Sequence, residues 1–133
     1  MAQTITPFLM FEGQAEEAIN FYISLFENAR VVAMQRYGAG EAGAEGSVKL
    51  ATISLAGQLV RCIDSPAKHG FSFTPAISLF VDCTEEQELE RLFGALSQDG
   101  QVLMPLNDYG FSRRFGWVAD RFGVSWQLNL PGN

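Results

Sequence analysis

One order of elements runs through this chain twice, and that repetition restricts the fold more than any single motif does. Thr6-Pro7 returns as Thr74-Pro75, 68 residues on. Glu16-Glu17 returns as Glu85-Glu86, 69 on, and Gly57 returns as Gly123, 66 on. In the first copy, residues 4–11 are a short apolar run that reads as a strand. From residue 15 to residue 26 the period becomes helical, with Ala15, Ala18, Ile19, Tyr22, Leu25 and Phe26 on one face. Glu16 and Glu17 fall in the first turn, where the helix dipole favours negative charge. Residues 30–37 read as a strand and 38–46 as a loop. Residues 48–55 and 58–63 read as a hairpin across Ala56-Gly57. In the second copy, residues 76–83 form an apolar strand. Thr84 opens a helix with Gln87 three residues on, the spacing of a capping box, and Leu89, Leu92, Phe93 and Leu96 make its buried stripe. A short strand at 101–103 and a closing hairpin of 115–119 with 124–130 complete it.

The expected class is therefore α+β: one domain, residues 1–133, built from two βαβββ modules at 4–64 and 74–130 with a linker at 65–73. A helix on one face of each mixed sheet leaves the other face free to curve around a cavity. Residues 8–11 and 77–81 are apolar on both alternating faces, the pattern of strands buried on both sides.

Charge narrows the partners. With 15 acidic against 9 basic residues, the net charge of −6 offers no basic footprint for nucleic acid. No apolar run reaches the length of a membrane span. The opening Met1-Ala2-Gln3-Thr4 lacks a basic n-region and an apolar h-region, so no secretory signal is expected. Cys62 and Cys83 stand apart in apolar segments and read as buried free thiols of a cytoplasmic protein.

Three stretches, "TPFLMFEGQAEEAINFYISLF", "FTPAISLFVDC" and "FGWVADRFGVSWQL", carry a resemblance that spans residues 4–130. Paired βαβββ units mark the vicinal-oxygen-chelate superfamily of glyoxalase I, bleomycin-resistance proteins and extradiol dioxygenases. Within it the sequence resembles the PhnB-like family, often labelled 3-demethylubiquinone 3-methyltransferase. The resemblance implies a homodimer and a cavity under a curved sheet. In the superfamily's metal enzymes, four His, Glu or Gln ligands come from the first and last strands of the modules. The matching positions here are Arg61 and Gln127 on the last strands, and residues 6–8 and 76–78 on the first. Only Gln127 offers a metal donor, which is too few for a divalent ion. The lone histidine, His69, falls in the linker and reads as a solvated loop residue.

The methyltransferase label fares no better on residues. "GAGEAG", residues 38–43, fits GxGxxG, but a strand follows it where a helix N-terminus is needed, and Glu41 and Glu45 oppose a phosphate. It reads as a flexible loop, or a lid. In "FGWVADRFGVSWQLNL", a turn at 120–123 would pair Trp117 with Trp126 and Gly116 with Gln127. The tryptophans then share one outward face, and Gln127 faces the cavity with Gly116 leaving room beside it. Arg61 is either an edge or paired arginine, with Asp64 or Glu12, or a contact for a bound anion. Arg113 and Arg114 guard the cavity mouth or flank a surface strand. Cys62 and Ser78 have no histidine at hand to activate them.

The candidate ligand-binding residues are Arg61, Gln127, Ser78, Phe8, Met10 and Phe80, with Tyr109 and Phe111 as a cover. No catalytic residue, cofactor or metal is assigned. The expected function is metal-free binding of an apolar or aromatic small molecule, with an anionic group met by Arg61. The alternatives are a metal-dependent lyase, isomerase or dioxygenase, a methyltransferase, or a ligand-free dimeric scaffold packed shut by Phe8, Met10 and Phe80.

Overall fold

The structure, a computed structural model, describes residues 3–132; Met1, Ala2 and Asn133 lie outside the described residues. The chain divides into two compact units, one up to Gly70 and the other from Phe71. In the first, the order is β1 (Phe8–Phe11), α1 (Ala15–Leu25), β2 (Ala29–Arg36), β3 (Val48–Leu55) and β4 (Gln58–Asp64). The sheet order is β1-β4-β3-β2. β1 runs parallel to β4, and the remaining pairs are antiparallel. The periodic stripe Ala15, Ala18, Ile19, Tyr22 and Leu25 is buried against β2, β3 and β4. Val48, Ala51, Ile53, Val60 and Cys62 face it from the sheet, so the hydrophobic effect fixes both the helix face and the strand register.

The second unit repeats the plan with β5 (Leu79–Asp82), α2 (Glu86–Ser97), β6 (Gln101–Asn107), β7 (Arg114–Ala119) and β8 (Ser125–Leu130). Its sheet order is β5-β8-β7-β6, with β5 parallel to β8. Leu89, Leu92 and Leu96 of α2 are buried with Val118, Trp126, Leu128 and Leu130. The two modules are thus the expected α+β pair of βαβββ units, each with a four-stranded mixed sheet.

Local departures have local causes. The first strands are shorter than expected and are not buried on both sides: Phe8 is 58% and Phe80 54% exposed. β1 and β5 are edge strands, and each has one face that its helix does not cover. β6 runs to Asn107, well past the expected 103. α2 starts at Glu86 and not at Thr84, and the box with Gln87 does not form. Glu88 instead accepts the Thr84 amide at 3.3 Å.

The closing hairpin is the main correction. The turn holds three residues and not two. Asp120 N donates to Val124 O and Gly123 N to Asp120 O, both at 2.9 Å, with Gly123 at φ 94°. A left-handed third residue after a tight turn adds one position to the loop. The register moves by one, giving Val118 opposite Trp126, Trp117 opposite Gln127 and Gly116 opposite Leu128. The tryptophans therefore lie on opposite faces. The first hairpin does close on two residues, Ala56 at φ 50° and Gly57 at φ 90°, and its register is as expected.

Candidate functional site

In the first unit, Val60, Cys62 and Asp64 alternate toward α1, so Arg61 and Ile63 occupy the uncovered face. The parallel register sets Phe8 beside Arg61 and Met10 beside Ile63, while Thr52 flanks Arg61 from β3. An open groove of about 490 Å³ lies here, lined by Thr6, Phe8, Gln35, Lys49, Leu50, Arg61 and Ile63. Its walls are apolar and its polar groups are mostly donors. Lys49 is paired with Glu41. Arg61 is exposed and makes no ion pair among the described residues.

Neither acid expected to pair with Arg61 does so. Asp64 points to the other face, is 3% exposed, and accepts three backbone amides: Gly13 at 2.8 Å, Ala15 at 2.9 Å and Val48 at 3.0 Å. Two of these belong to the entry of α1, so Asp64 caps that helix from across the sheet. Glu12 accepts the His69 amide at 3.4 Å. His69 itself is half-buried and not merely solvated, with Nε2 2.7 Å from Ser65 Oγ.

The glycine-rich loop is neither a nucleotide loop nor a free lid. It joins the antiparallel strands β2 and β3. Glu41 accepts the Gly38 amide at 2.7 Å and pairs with Lys49. Arg36 holds the Gly46 carbonyl at 3.1 Å, and Gly43 sits so close over the Tyr37 ring that a Cβ would lie 2.3 Å from it. The Lys49 ammonium beside Glu41 holds that carboxyl below the usual range, helped by the Gly38 amide.

In the second unit, Gly116 is turned to α2, where its missing Cβ makes room for Phe93 and Leu106. It does not open space beside Gln127. Arg114 likewise binds Glu90 of α2 at 2.6 Å and guards no mouth. The uncovered face carries one row of Met104, Trp117, Gln127 and Phe80, and a second of Asn107, Phe115, Asn129 and Asp82. A hydrogen-bonded chain crosses it. Trp117 Nε1–H donates to Ser125 Oγ at 2.8 Å, Ser125 and Ser78 hydroxyls meet at 2.6 Å, and Gln127 Nε2 donates to Ser78 Oγ at 3.2 Å. Four rings cluster in the same unit around Phe115. Phe111 and Phe115 meet edge to face at 5.0 Å, Tyr109 stacks with Phe111 at 6.3 Å, and Phe80 lies 6.3 Å from Phe115. Tyr109 is anchored by its hydroxyl to Pro105 O at 2.6 Å.

The candidate residues thus fall into two sets, Phe8, Met10 and Arg61 in the first unit and Ser78, Phe80, Tyr109, Phe111 and Gln127 in the second. Arg61 and Gln127 hold equivalent places, each on the last strand beside the phenylalanine of the first. Sequence reasoning missed Asp64 as a helix cap and Ser125 and Trp117 as members of the chain. The first left a signal, a lone acid ending an apolar strand.

Neither metal nor nucleophile chemistry fits these side chains. Arg61 is a cation, Gln127 offers one amide oxygen, and residues 6–8 and 76–78 bring no carboxylate or imidazole. Among the described residues no three His, Cys, Asp or Glu side chains gather as a metal-binding group. Burial, then the Asp64 charge, pushes the Cys62 thiol up to about 12. Burial first, then Glu88 and Asp82, pushes Cys83 up to about 11. Neither thiol is a nucleophile near neutral pH.

Among the described residues no helix is long and apolar enough to cross a membrane. A family model described as 3-demethylubiquinone-9 3-methyltransferase matches residues 3–129. The PhnB protein from Bacillus cereus is 55% identical, with 96% of this chain and 99% of that one covered and a TM-score of 0.93. Protein YjdN of Escherichia coli is 24% identical over 139 residues, covering 95% of this chain and 94% of that protein. The fosfomycin resistance protein FosX from Listeria monocytogenes, solved with Mn(II) and sulfate, shares the fold. Its TM-score is 0.63 at 8% identity, over 99% of this chain and 92% of that one.

Proposed function

The chain belongs to the 3-demethylubiquinone-9 3-methyltransferase family, PhnB-like proteins with the vicinal-oxygen-chelate fold, and from that premise we propose that it binds a small molecule without a metal. The ligand has an apolar or aromatic body and an anionic group, and the anion is met by Arg61. The observation that carries this reading is the Arg61 guanidinium, set among Phe8, Leu50 and Ile63 in an open groove with no acidic partner among the described residues. An arginine on an apolar wall pairs its fixed fork of donors with a carboxylate or similar group. Methyl transfer draws no support from the glycine-rich loop, which is tied to Tyr37 and Lys49. Phe8 lines the groove and does not close it, so the ligand-free scaffold loses its main argument in that unit.

Calorimetry with benzoate and with uncharged benzyl alcohol tests the reading. Benzoate is expected to bind more tightly, with its advantage lost in Arg61→Gln and unchanged after EDTA treatment. Equal binding of the two, or binding that EDTA abolishes and manganese restores, overturns it.

A further inference from the structure

The hydrogen-bonded chain on the second sheet has a polarity that can be counted proton by proton. Trp117 gives its indole N–H to Ser125, and Gln127 gives an Nε2–H to Ser78. One hydroxyl proton lies between Ser78 and Ser125, so one of the two hydroxyls keeps a proton with no acceptor in the chain. Ser125 is 2% exposed and Ser78 is only half-buried. A buried donor without a partner is costly. Ser125 therefore donates to Ser78, and the remaining proton is the outward O–H of Ser78. At the other end, the Gln127 carboxamide is oriented by its Nε2 bond, and its Oε1 has no partner among the described residues. No fully buried side-chain oxygen lacks a partner there, so this Oε1 keeps some access to solvent on half-buried Gln127.

A donor and an acceptor thus sit side by side, uncharged, next to the exposed ring of Phe80, which Phe115 links to the exposed ring of Phe111; the two are 54% and 62% accessible. We infer that this face takes a neutral phenol: the ligand hydroxyl donates to Gln127 Oε1 and accepts from Ser78 Oγ–H, while its ring packs on Phe80 and Phe111. A phenolate has no proton for Gln127, and its charge would face the Oε1 lone pairs, so the neutral form is selected. A ring without a hydroxyl leaves both groups unmatched. The assignment rests on the small-molecule reading above and gives the second unit a chemistry opposite to that of the Arg61 groove.

The test is a ¹H–¹⁵N NMR titration of the intact chain with p-cresol, anisole and benzoate, following the Trp117 indole and Gln127 carboxamide signals. p-Cresol is expected to shift both and to bind about 5-fold more tightly than anisole, the worth of a neutral hydrogen-bond pair. Gln127→Leu is expected to erase that preference, and Phe111→Ala to weaken both ligands alike. Equal response to p-cresol and anisole in the wild-type chain overturns the inference without recourse to a variant. If p-cresol leaves these signals unmoved while benzoate perturbs the Arg61 groove, only the phenol site falls. If no ligand perturbs either unit, the small-molecule reading falls with it.

Discussion

A single carboxylate decides how the first unit is held together. Asp64 accepts amides from two residues at the entry of α1 and from Val48 on β3, so it joins helix and sheet at a buried point. Asp64→Ala leaves three amides without their acceptor and is expected to cost about 3 kcal/mol in urea denaturation. Asp64→Asn keeps one carbonyl oxygen and should fall between. The neighbouring Cys62 sets a pH limit. Its folded thiol titrates near 12 against an ordinary 9.0, so the unfolded chain ionises first. The stability this contributes is complete below pH 9 and is lost as pH rises from 9 to about 12. At pH 10 the loss is about 1.4 kcal/mol, and Cys62→Ala should flatten that part of the profile. The place of Cys62 in an apolar alternation was legible in the sequence. The role of Asp64 was not, because its partners lie 16 to 51 residues away and pattern reading sees only neighbours.

At the scale of elements, apolar periodicity located both helices and the central hairpin strands. It failed where an unburied edge or a turn decided the outcome. Asp120 shows why. Its carboxylate takes the amides of Phe122 and Val124 and the indole N–H of Trp126, and this stabilises a three-residue loop where a two-residue turn also fits the residue types. That one position placed Trp126 in the core and Trp117 beside Gln127. Gly123, at φ 94°, makes the loop possible, so Gly123→Ala should cost about 1–2 kcal/mol through backbone strain. Thermal unfolding reads the loss. The equivalent Gly57 has open space around its α-carbon, so Gly57→Ala should show the strain of its φ 90° alone.

Across the whole chain the duplication was the most legible feature, because element order survives where residue identity does not. The equivalence of Arg61 and Gln127 also followed from it, by counting from Gly57 and Gly123. Their surroundings were not legible, since a neighbour on a parallel strand is fixed by long-range register. The same parallel pairing has a kinetic side. Phe8 meets Arg61 across 53 intervening steps of chain, and Phe80 meets Gln127 across 47, whereas the β3–β4 hairpin closes on two residues. Long closures carry the greater entropy cost and form late. Pulsed hydrogen exchange during refolding should therefore protect β3 and β4 before β1. The groove wall at Phe8 belongs to the strand expected to dock last, and among the described residues β4 is its one paired neighbour. A molecule held between Phe8 and Arg61 would act as a latch on the finished fold, slowing unfolding while leaving the early steps of folding untouched.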